Sequence, residues 1–155
     1  MHKVRVYLDT SVFGGVQDVE FAEITKRFFE QVGRGAFVVL LSRLTTDELE
    51  EAPAQVSGVI RGLSPGQVEL VALNEEVKNL AEEYVKAGVL GESSLDDATH
   101  VAAATVAGAD LILSWNFRHI VNFQRICGFN SVNTRMGYRS MVILSPREVL
   151  DDDQD

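Results

Sequence analysis

Val4-Arg5-Val6-Tyr7-Leu8-Asp9-Thr10-Ser11 carries β-branched and large apolar residues into an acid followed by two hydroxyls. A short apolar run bounded by polar turn residues reads as a strand buried in a sheet. Phe37 to Leu41, Asp110 to Ser114 and Met141 to Leu144 have the same character and supply three more strands. Helical patterns separate them. Phe21, Ile24, Phe28 and Val32 recur at three or four residues and stop at Gly33. Asn74 to Ala87 carries Val77, Leu80, Ala81 and Tyr84 on one stripe and ends at Gly88. Strands alternating with amphipathic helices predict an α/β fold around a mainly parallel sheet.

The remaining segments fit between these elements. Ser42 is in position to cap a helix through Leu44, Glu48 and Ala52, halted near Pro53, and a short helix covers Val56 to Leu63 before Ser64-Pro65-Gly66. Val68 to Leu73 is a short apolar segment of either type. Ser93 or Ser94 caps a helix that opens on Leu95-Asp96-Asp97 and continues through alanines suited to close packing on a sheet. After the Asp110 to Ser114 strand a polar turn and a short helix are expected, which brings Ser114, Asn116 and His119 to the same sheet edge. There is no internal repeat or low-complexity tract. Residues 1–150 read as one domain, and the tail Asp151-Asp152-Asp153-Gln154-Asp155 reads as disordered.

Three acids stand where apolar elements meet turns or helix starts: Asp9, Glu48 and Asp97. In an open α/β sheet such ends gather at one edge, where ligands bind. Two carboxylates about 4 Å apart repel by roughly 4 kcal/mol at an effective dielectric near 20, so a gathered trio calls for a proton or a cation. A hard ion such as Mg²⁺ takes oxygen ligands and is usually shared with a phosphate, which points to phosphate-ester hydrolysis. Each residue also has a plainer reading. Asp9 suits a turn or helix cap. Glu48 belongs either to the more apolar face of its helix, with Leu44, Thr45 and Ala52, or to a solvated charge run. Asp96 and Asp97 both suit a helix start, where the dipole favours an acid. His100, one turn after Asp97, reads as a packed or hydrogen-bonded histidine, since Mg²⁺ prefers oxygen. Trp115 and Phe117 read as core or wall residues, with stacking on a base as the alternative.

Composition bounds the partners. The 155 residues are 46% hydrophobic and 24% charged, enough for one domain with a proper core and too few for two. The lone Cys127 allows no internal disulfide, the amino terminus lacks a signal-peptide stretch, and no run approaches a membrane span, so a cytoplasmic protein without membrane contact is expected. A net charge of −9 argues against a nonspecific polyanion binder. Its distribution is uneven, however. Leu111 to Arg147 contains no Asp or Glu but holds Arg118, His119, Arg125, Arg135, Arg139 and Arg147, which permits a nucleic-acid face beside an acidic centre. The plainer reading is an ordinary solvated surface.

The order of these motifs resembles the PIN domains, including the VapC-type toxins of bacterial toxin–antitoxin pairs. The resemblance rests on an apolar-Asp-Thr-Ser opening, a strand followed by Glu48-Leu49, an Asp97-Ala98 helix rich in alanine, and a late Ser114-x-Asn116 turn. It runs nearly end to end. It implies a three-layer α/β/α sandwich, metal-dependent endoribonuclease activity with Mg²⁺ or Mn²⁺, an RNA substrate, an antitoxin partner and a homodimer. Asp9, Glu48 and Asp97 match the family's acidic metal positions, and Asp96 is a further candidate ligand. Asn116 and His119 fall in the turn that often supplies a fourth acid. That turn carries no carboxylate here, which is a departure from the family pattern.

The mechanism expected from this reading gives the acids a cation that activates water for attack on an RNA phosphodiester. Thr10 or Ser11 would orient the water, and Ser114, Arg118 or His119 would contact the substrate. The alternative from another class is a noncatalytic RNA- or protein-binding module, suggested by the missing fourth acid. A receiver domain would need an acid pair after the first strand, where Thr10-Ser11 stands, and Phe13-Gly14-Gly15 does not make a dinucleotide loop.

Overall fold

The computed structural model describes residues 3–150, so the acidic tail at 151–155 lies outside the described residues. The strands are β1 (Val4–Leu8), β2 (Phe37–Ser42), β3 (Val68–Val71), β4 (Leu111–Leu113) and β5 (Val142–Leu144). The helices are α1 (Thr10–Gly14), α2 (Ala22–Gly33), α3 (Arg43–Glu50), α4 (Ala54–Arg61), α5 (Glu75–Lys86), α6 (Leu95–Val106) and α7 (Phe123–Arg135). The strands form one sheet in the order β3-β2-β1-β4-β5, and each neighbouring pair is parallel. The expected mainly parallel sheet is therefore parallel throughout. No helix of the described residues is long and apolar enough to cross a membrane.

Period-two alternation separates the two faces of the sheet. Val6 and Leu8 of β1, Val39 and Leu41 of β2 and Leu113 of β4 pack with Val12, Phe13, Phe28, Val32, Leu49 and Val56 from α1 to α4. Tyr7, Leu40, Ile112 and Ile143 point the other way, onto α5, the alanines of α6, and Phe129 and Val132 of α7. Burial on both faces is why the strands read as nearly continuous apolar runs. The result is a three-layer α/β/α sandwich.

Strand order matters for function. The chain steps outward from β1 to β2 to β3, then crosses back over the sheet to enter β4 on the other side of β1. The switch point therefore falls between β1 and β4, and ligand sites of open parallel sheets lie outside the carboxyl ends of the strands at such a point. Asp9 follows β1 and Ser114 follows β4, so both stand at that place.

Several local expectations need correction. Val68 to Leu73 resolves as the edge strand β3, which stops at Val71. The helix that begins after Ser42 ends at Glu50, before Ala52. Ser42 occupies the N-cap position of α3, yet its side chain makes no capping bond, because its hydroxyl lies 2.8 Å from that of Tyr7. The short helix expected within residues 114–120 does not form. The segment is instead a turn closed by the Ile120 and Val121 N–H groups donating to the Asn116 carbonyl at 3.1 and 2.9 Å. The one-turn helix α1 and the long helix α7 are additions to the sequence reading.

Helix α7 was hidden because Gly128, Asn130, Asn133 and Thr134 are poor helix formers. Tertiary bonds override that propensity. The Asn122 side chain caps the helix by accepting the Arg125 N–H at 3.0 Å. The buried Asn133 accepts a hydrogen bond from the Tyr84 hydroxyl. Gly128 lets α7 sit against Val89, and a Cβ at that position would lie 2.9 Å from both Val89 methyl carbons.

That contact reverses an ordinary rule. Replacing a mid-helix glycine by alanine usually stabilises by about 0.5–1 kcal/mol. Gly128→Ala is expected to destabilise by about 1–3 kcal/mol through overpacking against a stiff β-branched side chain, measured as a lower urea midpoint at unchanged m-value. A neutral or stabilised variant would disprove the close packing of α7 on Val89.

Candidate functional site

Asp9 is the deepest acid of the edge, 3% exposed at the end of the central strand. It stands at the N-cap position of α1, but its side chain makes no capping bond. Both oxygens face the β1–β4 switch point instead. Oδ1 accepts the Ser11 hydroxyl at 2.6 Å and Oδ2 accepts the Ser114 hydroxyl at 3.0 Å. Ser11 Oγ also receives the Trp115 N–H at 2.9 Å, and Ser114 Oγ receives the Asn116 N–H at 2.9 Å. The two serines thus lock the loop after β4 onto the acid after β1. Burial pushes the Asp9 carboxyl above its usual range, and the Asp97 charge pushes the same way. The His100 ring and the two serine hydroxyls offset part of that effect.

Glu48 reaches the edge from the last turn of α3. Its Oε1 accepts the Thr10 hydroxyl at 3.0 Å and lies 2.9 Å from His100 Nε2. The hydrogen bond from His100 is the main reason its carboxyl sits below the usual range, and partial burial works against it. Thr45 on the same face is buried and Leu44 half-buried, while Glu48 itself is exposed and turns its carboxylate onto Thr10 and His100.

Asp97 lies in the first turn of α6, half-buried and paired with the loop after β4. Its Oδ2 is 3.0 Å from His119 Nδ1, and its Oδ1 accepts the Asn116 amide at 3.4 Å. Asn116 holds the turn together at the same time, because its Oδ1 accepts the His119 N–H at 2.9 Å. The turn that lacks a fourth acid thus supplies two hydrogen-bonding partners to the third. Asp96 is exposed, and among the described residues no hydrogen bond links it to the other acids. Arg118 is exposed at the tip of the turn.

Trp115 is buried and stacks on Phe21 with ring centroids 4.1 Å apart, while its Nε1 donates to Thr25 Oγ1 at 2.9 Å. It is a wall residue. Gly15 is required beside it, since a Cβ there would lie 2.5 Å from Thr25 Oγ1 and 2.8 Å from Trp115 Nε1. Phe117 rests at the edge of this cluster and remains 47% exposed. The arginines of the acid-free segment serve mostly elsewhere: Arg125 donates to the Val89 carbonyl, Arg135 to Glu83 and Arg139 to the Gly108 carbonyl.

Residues the sequence reading did not credit connect this edge to the core. The Tyr7 hydroxyl lies 2.7 Å from His100 Nδ1 and 2.8 Å from Ser42 Oγ, and all three side chains are buried. The available signal was a tyrosine between Val6 and Leu8 in a central strand, since a buried phenol needs a partner.

The donor set is oxygen-rich and anionic, the chemistry that Mg²⁺ or Mn²⁺ takes. A fully buried carboxyl repelled by a second acid creates the electrostatic demand that a cation satisfies. As the side chains stand, no three His, Cys, Asp or Glu among the described residues close into a metal-ligand group. Asp9, Glu48 and Asp97 are gathered at one edge by hydroxyl, amide and imidazole bonds rather than by one another.

No protein-family model matches the chain, and a search of curated proteins finds no match. Among solved structures, the crystal structure of Mycobacterium tuberculosis VapC20, a Sarcin-Ricin loop cleaving toxin, is similar. The identity is 19%, the likeness covers 74% of this chain and 92% of that chain, and the TM-score is 0.47.

The burial of Asp9 has a consequence for stability. A carboxyl whose folded-state pKa is raised holds its proton more tightly folded than unfolded, so its contribution is present below the ordinary carboxyl range and is lost as pH rises. Asp9→Asn removes that loss. In EDTA the variant is expected to be more stable than wild type at pH 7, with the difference shrinking as pH falls toward about 4. Urea denaturation across that range checks it, and a variant less stable at pH 7 refutes the burial argument.

Proposed function

We propose that this chain is a PIN-type endoribonuclease whose Asp9, Glu48 and Asp97 hold a divalent cation for hydrolysis of an RNA phosphodiester. The observation that supports the reading is convergence. Acids 39 and 49 residues apart in sequence come from the ends of β1, α3 and α6 to the switch point of one parallel sheet. Each carries its own set of orienting partners. The motifs that resemble those of the PIN domains lie at the ends of these same elements.

A divalent cation bound by these acids would supply Lewis-acid polarisation of the phosphate and a lowered pKa for a water molecule. Hydrolysis adds that water's oxygen to phosphorus, breaks the P–O bond to the leaving ribose oxygen and returns a proton to it. The chain's own part is orientation. Ser11 and Ser114 fix both oxygens of Asp9, Thr10 and His100 hold Oε1 of Glu48, and Asn116 with His119 holds Asp97. Arg118 extends from the turn that holds Asp97 and is available to a substrate phosphate. No side-chain nucleophile is required: the Thr10, Ser11 and Ser114 hydroxyls donate to Glu48 and Asp9 as orienting groups. The exposed Asp96 is a weaker candidate ligand than the trio. Single-stranded or looped RNA suits the site, because an unpaired backbone bends readily to an edge.

The second reading, a noncatalytic RNA- or protein-binding module, draws on the absence of a closed ligand group among the described residues. The two readings differ in metal-dependent turnover. With Mg²⁺ or Mn²⁺ the wild type is expected to cleave RNA, EDTA to abolish cleavage, and Asp9→Asn or Asp97→Asn to slow it by about 100-fold or more, the scale of a few kcal/mol of lost charge stabilisation. Folded, Mn²⁺-binding protein that cleaves no RNA would instead favour the module. An antitoxin and a homodimer belong to the same reading, and co-purification with the product of an adjacent gene would identify the former.

A further inference from the structure

A line of buried polar groups runs through the layer between the sheet and α6. Ser42 Oγ, Tyr7 OH, His100 and Glu48 Oε1 follow one another at 2.8, 2.7 and 2.9 Å. Ser42 and Tyr7 are 0% exposed and His100 is 2% exposed, among apolar residues such as Leu40, Ala98 and Val101. Polar groups in such a setting are costly unless each is bonded, and a fully bonded chain is rigid. The line begins in β2, crosses β1 and α6, and ends on an acid of α3 at the sheet edge.

The direction of the bonds follows from what each group is able to do. A carboxylate only accepts, so the proton between His100 and Glu48 belongs to Nε2. In the neutral ring Nδ1 is then an acceptor, which makes the Tyr7 hydroxyl its donor and leaves the phenol oxygen to accept from Ser42. Burial holds the Tyr7 phenol well above its usual range, so it keeps the proton it donates. Every link has one donor and one acceptor.

The chain ends on one particular oxygen. His100 and Thr10 both meet Oε1 of Glu48, while Oε2 accepts no hydrogen bond from any described residue. We propose that His100, locked in place by the Tyr7 hydroxyl, is the positioning residue for Glu48, pinning Oε1 so that Oε2 is the oxygen that ligates a divalent cation. The inference rests on the reading of Glu48 as a metal ligand. His100 does not touch cation or substrate. It resembles the carboxylate–imidazole pairs that orient metal ligands elsewhere, with the roles exchanged: here the imidazole orients the carboxylate.

The wild-type chain, His100→Gln, His100→Ala and Tyr7→Phe test this with Mn²⁺ as the probe, read by calorimetry and by the kinetics of RNA cleavage. Loss of an orienting partner typically weakens metal binding by about 10- to 100-fold. His100→Ala is expected to show that loss, with a comparable fall in kcat and KM changed by less than about 3-fold. The glutamine amide is able to donate from near the Nε2 position, so His100→Gln is expected to regain most of the Mn²⁺ affinity. Tyr7→Phe keeps the ring and removes the lock, and is expected to fall between wild type and His100→Ala. A folded His100→Ala with wild-type Mn²⁺ affinity overturns the proposal, as does a His100→Gln no better than alanine. If the alanine variant does not fold, the glutamine and phenylalanine variants decide, and wild-type Mn²⁺ affinity in Tyr7→Phe refutes the lock. Wild-type protein that binds Mn²⁺ without cleaving RNA sinks the ribonuclease reading alone. Wild-type protein that binds no Mn²⁺ overturns the metal reading and this proposal together.

Discussion

A carboxylate buried at the carboxyl end of the central strand is the constraint around which the rest of the edge is arranged. Asp9 has lost its water, and burial raises its carboxyl pKa. The fold answers with the His100 ring at longer range and, at bonding distance, with hydroxyl donors rather than a basic side chain. Ser11 and Ser114 satisfy one oxygen each, and through Trp115 and Asn116 they also fix the course of the chain after β4. An arginine in their place would neutralise the acid outright and leave no demand for a cation. Two neutral hydroxyls keep the charge in place while satisfying hydrogen-bond geometry, which is what a metal-binding reading requires.

The two faces of the sheet divide the work. Val6, Leu8 and their neighbours pack against α1 to α4 as ordinary apolar core. The opposite face carries Tyr7 and His100 beside the alanines of α6. Small residues on α6 allow the helix to approach the sheet closely, and that approach brings the His100 ring within reach of Tyr7 on one side and Glu48 on the other. The packing of α6 and the orientation of an acid on α3 are therefore one problem, solved by one residue.

Much of the architecture was legible because burial on both faces writes itself into composition. Val4 to Leu8 is apolar except for Arg5, Phe37 to Leu41 is apolar throughout, and the Val77, Leu80, Ala81, Tyr84 stripe marks α5 without ambiguity. Helix α7 was not legible, since Asn133 and Gly128 are there for Tyr84 and Val89, and a tertiary contact leaves no periodic trace. The same holds at the edge. The ends of elements located Asp9, Glu48 and Asp97, but which neighbour each would bond depended on strand order. Asp9 looked like a cap and is not one, because Ser114, 105 residues away in sequence, reaches it first. Ser42 looked like a cap as well, and Tyr7 takes its hydroxyl.

The turn after β4 shows why a carboxylate is dispensable there. A fourth acid about 4 Å from Asp97 would add roughly 4 kcal/mol of repulsion at an effective dielectric near 20, in a site where Asp9 is already destabilised by burial. Asn116 and His119 occupy that place with groups that bond to Asp97 rather than repel it. The whole stretch from Leu111 to Arg147 is free of acids, and its loop at the sheet edge carries Arg118 outward. A polyanionic substrate approaching three carboxylates in a chain of net charge −9 needs one side of the site without negative charge. Under the proposed function the missing acid would shape the approach route. It would lower the number of anionic ligands offered to a metal and would give an RNA backbone a neutral-to-basic flank along which to reach the acids.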